Sequence, residues 1–409
     1  MVVIKRVIGR EVLDSRGNPT VEVEIHTSKG VSRAIVPSGA SKGTYEAVEL
    51  RDEDIDRYFG KGVLKAVNNV DLLGKKLINK KLSLNQIDEF LTNEDGTKNK
   101  KKYGANALLG ISLAATKALS LENNEPLYKT FGKLSGNKEF TLPTPMFNII
   151  NGGMHAGNDL DFQEYMIIPS AKTFREKLRI GSEVYQELKE ILKKKYGKHA
   201  VNVGDEGGFA PQLDSVEDPM DEILEATSNL GYEKEVKIGL DVAANNLKVE
   251  GEYVIERKSH DSFEMIDIYK ELVKTYPIAS IEDPFAEDDW ENFYVLNREI
   301  GNKVMVVGDD FLVTNKERVE RAAKLKSCNA MILKMNQIGT VSQAIEAAKI
   351  AMKGKMRVIV SHRSGETEDT SIADLSVGLG AGFIKAGAPA RGERTAKYNQ
   401  LLRIEENLK

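Results

Sequence analysis

Along the first forty residues, apolar and polar side chains alternate. Val21, Val23 and Ile25 interleave with Glu22, Glu24 and His26, the two-residue period of a half-buried strand. The turn Thr27-Ser28-Lys29-Gly30 follows, then a second β-rich run through Val36. The period then lengthens to that of helices, over residues 65–77 and over 106–121 with its many Ala and Leu. Residues 93–102 are polar and lysine-rich and read as a solvated loop. Leu142-Pro143-Thr144-Pro145 breaks the pattern and marks a domain boundary.

Beyond Pro145, short apolar runs alternate with amphipathic stretches, which predicts βα units and a parallel sheet. The runs are IGL before Asp241, ASI before Glu282, MVVG before Asp309, MIL before Lys334, VIVS before His362 and FI before Lys385. Helical patterns fill the gaps over 263–275, 317–325, 341–352 and 371–378. Each run ends in an ionisable residue. An acid that caps the next helix explains one such strand. Six in series, three acids and then Lys, His and Lys, point to the C-terminal rim of a β/α barrel, where catalytic side chains gather.

On this reading Asp241, Glu282 and Asp309 meet at the barrel mouth. Three carboxylates repel one another and need a counter-ion. Hard oxygen donors, without Cys or clustered His, favour Mg²⁺ over zinc. Asp283 and Asp310 adjoin two of the three and stay open as alternative ligands. Lys334 and Lys385 face the same place. A lysine beside a cation and a second lysine is pushed toward its neutral form, which can act as a general base. Simple salt bridges to the acids are the plainer alternative.

Four glycine-rich polar loops join them. Ser38-Gly39-Ala40-Ser41-Lys42-Gly43 has the look of a mobile lid. Residues 151–158 contain His155, and Gly204-Asp205-Glu206-Gly207-Gly208 follows a strand-like stretch at 200–203. Ser361-His362-Arg363-Ser364-Gly365 offers hydroxyls, a guanidinium and backbone N–H groups, which suit a phosphate. His26, His199 and His260 are given no role, and Trp290 and Cys328 read as packing residues on helix-like segments. The chain has no Walker A loop, GxGxxG fingerprint, G-x-S-x-G elbow or H-E-x-x-H.

Composition narrows the classes further. The 409 residues suit two or three domains. Lys+Arg 58 against Asp+Glu 62 leaves a net charge of -4, so no nucleic-acid or anionic-membrane partner is expected. A single Cys excludes an internal disulfide and a Cys-based zinc site. The opening MVVIKRVIGREVLDSRGNP has charges inside its apolar stretch and makes a poor signal peptide. A cytoplasmic protein is the expectation.

In order, the motifs EVLDSRGNPTVEV, VPSGAS, NGGMHAGN, QEYMIIP, NVGDEGG, SIEDP, LKMNQIGT, VSHRSGETED and IKAGAPARGER resemble those of the enolase family. The resemblance spans nearly the whole chain. It implies an α/β fold: an N-terminal α+β capping domain (1–134), a three-stranded meander plus helices. An eight-stranded β/α barrel (135–409) of ββαα(βα)6 order would follow. It implies a lyase that reversibly dehydrates 2-phospho-D-glycerate to phosphoenolpyruvate in glycolysis and gluconeogenesis.

Carried over motif by motif, Lys334 resembles the base at C2 and Glu206 the acid at the C3 hydroxyl, with Glu164 beside it. Glu206 needs a raised pKa for that role, from burial and from Asp205 or Glu164. His155, Gln163, His362 and Lys385 resemble substrate contacts, and Arg363 with Ser364 the phosphate grip. Asp241, Glu282 and Asp309 resemble ligands of a first Mg²⁺, and Ser41 a ligand of a second that arrives with substrate. Gln163-Glu164 and the Arg363-Ser364 pair argue against a racemase or lactonising relative. The family also implies a homo-oligomer, a dimer or an octamer. Some members with a terminal lysine, here Lys409, bind plasminogen at the cell surface. Met335, Gly308, Ala386 and Tyr45 depart from the commonest family pattern.

Overall fold

The computed structural model describes residues 1–40 and 43–408, so Ser41 and Lys409 lie outside the described residues. The chain opens with an antiparallel meander of Arg6–Leu13, Pro19–His26 and Val31–Ile35. Val21, Val23 and Ile25 are fully buried. Their alternation is therefore the inner face of the central strand. Glu24, on the other face, is buried too, and takes Arg33 at 2.7 Å and Arg10 at 3.2 Å.

Helices Leu64–Leu77, Leu84–Asp95, Ala105–Asn123 and Leu127–Ser135 cover the inner face of the meander and one another. Ala105–Asn123 is buried almost all round, as its Ala and Leu content suggests for a core helix. Gly110 lets it sit against the sheet: a Cβ there would meet Val23 at 2.5 Å.

The loop expected at 93–102 is not simply solvated. Its first residues finish the helix Leu84–Asp95, which starts in a Ser83–Gln86 capping box and stops at a left-handed Gly96. Asp95 and Lys100 are buried. Asp95 accepts from the backbone N–H groups of Thr97 and Tyr103, at 3.1 and 2.8 Å, which folds the loop over its own carboxylate.

Eight strands then close a barrel: Thr144–Asn151, Glu164–Pro169, Val236–Asp241, Ile278–Glu282, Met305–Gly308, Ala330–Leu333, Arg357–Ser361 and Phe383–Lys385. The second strand runs antiparallel to both neighbours, with Glu164 opposite Asn151 on one side and Asp241 on the other. Every other pairing is parallel. Two helices, Phe174–Tyr196 and Asp218–Leu230, follow the second strand, and one long helix follows each later strand, with a single extra turn Met335–Ile338 after Ala330–Leu333. This is the ββαα(βα)6 order. Met146, Met166, Ile168, Met305, Val307, Ala330, Ile332 and Ile359 plug the barrel, so it is a packed core and not a channel.

Two local expectations fail, and the packing roles of Trp290 and Cys328 hold. Residues 200–203 are not a strand: Lys198–Val201 is a single 3₁₀ turn, and Val203 makes an isolated bridge to Phe209. Cys328 sits in a buried loop between the helix Lys316–Leu325 and the strand Ala330–Leu333. Trp290 does open a helix, but it is only partly buried, with its ring 4.3 Å from Phe311 and Arg321 3.9 Å over its face. No helix among the described residues is long and apolar enough to cross a membrane.

The N-terminal helices meet the barrel where Leu127–Ser135 crosses Ser371–Leu379. Asp374 accepts from Tyr128 N–H at 3.2 Å, filling the cap that Pro126 cannot supply. Gly378 permits the crossing, because a Cβ there would lie 2.4 Å from Phe131 Cβ and 2.7 Å from the Tyr128 carbonyl. Gly378→Ala is therefore expected to lower stability by ~1–3 kcal/mol through overpacking. Urea unfolding of the two proteins measures this, and equal midpoints would show that the crossing is loose.

Candidate active site

All six polar strand ends do arrive at one rim. The antiparallel strand delivers its first residue, Glu164, to that same rim, next to Asp241 in the ladder. Glu282 is buried against Lys385, while Glu164 and the other five line one pocket with the loops at 39–40, 155–163, 204–208 and 361–364. Lys385 stands at its centre. Its Nζ lies 2.9 Å from Glu164 Oε2, 3.0 Å from Asp241 Oδ2 and 2.9 Å from Glu282 Oε2. Burial would favour the neutral amine, but Asp241, Glu164 and Glu282 hold the Lys385 pKa well above its usual value.

Lys334 ion-pairs with Asp309 Oδ2, and Gln337 Nε2 donates to Asp309 Oδ1 at 2.9 Å. Burial again opposes the charge, and Asp309 outweighs it, so the Lys334 pKa is raised. Lys334 thus stands in the ion pair with a carboxylate that the sequence reading left open as the plainer alternative.

The carboxylates outnumber the lysines. Burial and then Asp241 push Glu282 well above the usual range, and burial and then Asp310 do the same to Asp283. Asp310 rises to about 7, through burial and then Asp309. Asp283 spends both oxygens on backbone, accepting from Asp309 N–H at 2.8 Å and Asp310 N–H at 2.7 Å. Asp241, Glu282 and Asp309 instead turn their oxygens to the lysines. Among the described residues, one oxygen each from Asp283, Asp309 and Asp310 falls within 4.8 Å of the others, a closer set than the expected Asp241, Glu282 and Asp309. Both sets offer only carboxylate oxygens, and all but Asp310 are buried, which is the donor chemistry of a hard divalent cation.

The acid side is a second cluster. His155 Nδ1 lies 3.5 Å from Glu164 Oε1 and 3.5 Å from Glu206 Oε1. Asn148 Nδ2 donates to Glu206 Oε2 at 3.0 Å, and His362 Nε2 lies 3.2 Å from the same oxygen. Burial and then the charge of Glu206 raise Glu164 to about 7. Burial works the same way on Glu206, but His362, His155 and Arg394 overcome it and draw Glu206 well below its usual value. The raised carboxyl of the pair is therefore Glu164. Asp205 does not help Glu206, for it points outward toward Arg16, 3.6 Å away.

The third side carries Arg363 and Ser364. Arg363 reaches Glu46 Oε2 and Asn336 Oδ1, both at 3.1 Å. Ser364 Oγ accepts from Ala40 N–H at 2.7 Å and from Arg16 at 3.4 Å. Gln163 Nε2 lies 3.5 Å from Asp241 Oδ2, and its Oε1 is buried without a partner among the described residues. Asn148, Glu46, Gln337, Arg16 and Arg394 belong to the network and were not picked out from sequence. Arg16, Gln337 and Arg394 are marked only by their place in the motifs DSRGNP, LKMNQ and ARGER, and Asn148 and Glu46 lie outside all three.

Residues 4–131 match the family model described as enolase, N-terminal domain, and residues 139–409 match enolase, C-terminal TIM barrel domain. The chain belongs to the enolase family. An enolase from Pyrococcus furiosus is 53% identical over 409 residues, covering 98% of this chain and 94% of that one. The enolase site is a metal-dependent one, and its donors here suit that requirement.

Lys385→Met would leave Glu164, Asp241 and Glu282 facing one another without a counter-charge. In EDTA this variant is expected to lose ~3–5 kcal/mol of stability, the usual cost of stripping one partner from a buried ion cluster. Added Mg²⁺ should recover much of the loss. Unfolding midpoints with and without metal measure it, and an unchanged midpoint in EDTA would mean that Lys385 does not balance the cluster.

Proposed function

We propose that this chain is a phosphopyruvate hydratase, catalysing the Mg²⁺-dependent, reversible dehydration of 2-phospho-D-glycerate to phosphoenolpyruvate. The observation that carries this reading is the pocket's three-sided layout. A lysine lies on one side, the carboxyl pair Glu164 and Glu206 on another and an Arg–Ser pair on the third, around buried oxygen donors.

Lys334 is assigned as the base that takes the C2 proton, the superfamily's established pattern of a Lys or His base. It can accept that proton only after it parts from Asp309 and loses its own. Arg363 and Ser364 hold the phosphate, and Lys385, Gln163, His155 and His362 contact the rest of the substrate. Proton removal beside a carboxylate builds a second negative charge there, which Lys385 Nζ is placed to balance. Asp241, Glu282 and Asp309 would hold one Mg²⁺, and Ser41 a second that arrives with substrate. When bound, these ions supply further positive charge for the developing dianion.

Hydroxide leaves poorly and must be protonated. Glu206 is assigned that delivery, with Glu164 as the member of the pair that stores the proton near neutral pH. His155 between them lets the proton pass without either carboxyl leaving the pocket. The domain boundary is placed at 134/135, and a cytoplasmic homo-oligomer, a dimer or an octamer, is the form expected of a glycolytic enolase.

Purified protein mixed with 2-phosphoglycerate should show the ultraviolet rise of the enol product with Mg²⁺ and none with EDTA. No rise with Mg²⁺ would refute the assignment. Lys334→Ala should abolish exchange of the C2 proton with solvent and lower turnover by about a hundred- to ten-thousandfold. Glu206→Gln should stop dehydration while C2 exchange continues. Normal dehydration by Glu206→Gln would remove Glu206 from the acid role.

A further inference from the structure

We propose that Arg394 is a positioning residue that locks His362 in its Nε2–H tautomer, so that the imidazole donates toward Glu206. Arg394 lies near the start of the last helix, Gly392–Leu408, and is wholly buried. Its Nη1 is 2.6 Å from His362 Nδ1 and 2.7 Å from the Arg363 carbonyl. Its Nη2 donates to the Ser364 carbonyl at 2.6 Å and the Asp205 carbonyl at 3.0 Å. One guanidinium therefore ties together the loop that carries Glu206 and the loop that carries His362, Arg363 and Ser364.

The tautomer follows from hydrogen-bond chemistry. A guanidinium has donors and no acceptor. Nδ1 of His362 must therefore be the bare, accepting nitrogen. A neutral imidazole has one N–H, which then sits on Nε2, facing Glu206 Oε2 at 3.2 Å. A doubly protonated ring would set N–H against N–H across the 2.6 Å contact. The charged groups that bear on the ring are Glu206, Arg394 and Glu366, and Glu366 is occupied by Lys397 at 2.7 Å. Burial, helped by Arg394 and opposed by Glu206, lowers the His362 pKa to about 4, in keeping with a ring that stays neutral.

The consequence bears on which carboxyl stores the proton. Asn148 donates to Glu206 Oε2 and His362 Nε2–H faces it at 3.2 Å, so that oxygen is an acceptor and the proton of the pair resides on Glu164. This role for Arg394 deepens the assignment of Glu206 to proton delivery and rests on it.

The test reads the ring directly, without substrate. The full chain, labelled with ¹⁵N-histidine, has five histidines to resolve. His362→Asn identifies the relevant signals by their loss. At neutral pH and down to about pH 5, long-range ¹H–¹⁵N spectra should show Nδ1 bare and Nε2 protonated. Arg394→Met should shift that pattern toward the other tautomer or the imidazolium. It should also lower turnover by roughly ten- to a hundredfold, as loss of a partner that orients a functional histidine does elsewhere. Arg394→Lys keeps a donor and should restore the native pattern. A protonated Nδ1 in the native chain overturns the proposal, as does a folded Arg394→Met with an unchanged spectrum. Should Arg394→Met not fold, the native and Arg394→Lys spectra decide. A chain with the expected tautomer but no turnover would keep the role of Arg394 and remove the enolase assignment.

Discussion

Too much negative charge is buried at the mouth of this barrel, and the rest of the site is arranged to balance it. Glu164, Glu206, Asp241, Asp283 and Asp309 are buried around one pocket, and Glu282 is buried against its Lys385, where water cannot screen them. Lys385 takes three of the six and Lys334 a fourth. Asp283 is held by backbone N–H groups, and Glu206 by Asn148 and His362. What is left shows as carboxyls forced toward their neutral forms, above all Glu282 and Glu164. A hard divalent cation bound there would relieve that strain and free the lysines for other work.

The fold makes this crowding possible. Parallel strands bring their ends to one rim, and the antiparallel second strand adds Glu164 to it in reverse. The last helix then reaches back, through Arg394, to fasten the loops that carry Glu206 and His362. The N-terminal meander contributes Arg16 from its first turn, and the following loop contributes Glu46. Neither half of the chain builds the pocket alone.

Much of this was readable from residues. The apolar runs ending in Asp241, Glu282, Asp309, Lys334, His362 and Lys385 located six of the strand ends, because buried parallel strands leave short, unbroken apolar stretches. The antiparallel strand Glu164–Pro169 has the same texture as its neighbours, so local pattern could not give its direction. Only the family resemblance did. The capping box Ser83–Gln86 and the stop at Gly96 did signal a helix, but the lysines around them masked it. Protonation was the least legible layer. Whether Lys334 is neutral, or whether Glu164 or Glu206 holds the proton, depends on which charges sit within a few ångströms in space. Asp309 sets the charge beside Lys334, His362 and Arg394 those beside Glu206, and each lies well away along the chain from the group it acts on.

The claim on which the chemistry turns is that Lys334 leaves Asp309 when the pocket is filled. A crystal structure of this chain with Mg²⁺ and 2-phosphoglycerate tests it most directly. Lys334 Nζ should be off Asp309 and turned to C2 of the substrate, with the Asp309 carboxylate on the metal. Lys334 still paired with Asp309, with substrate and metal both in place, would contradict it.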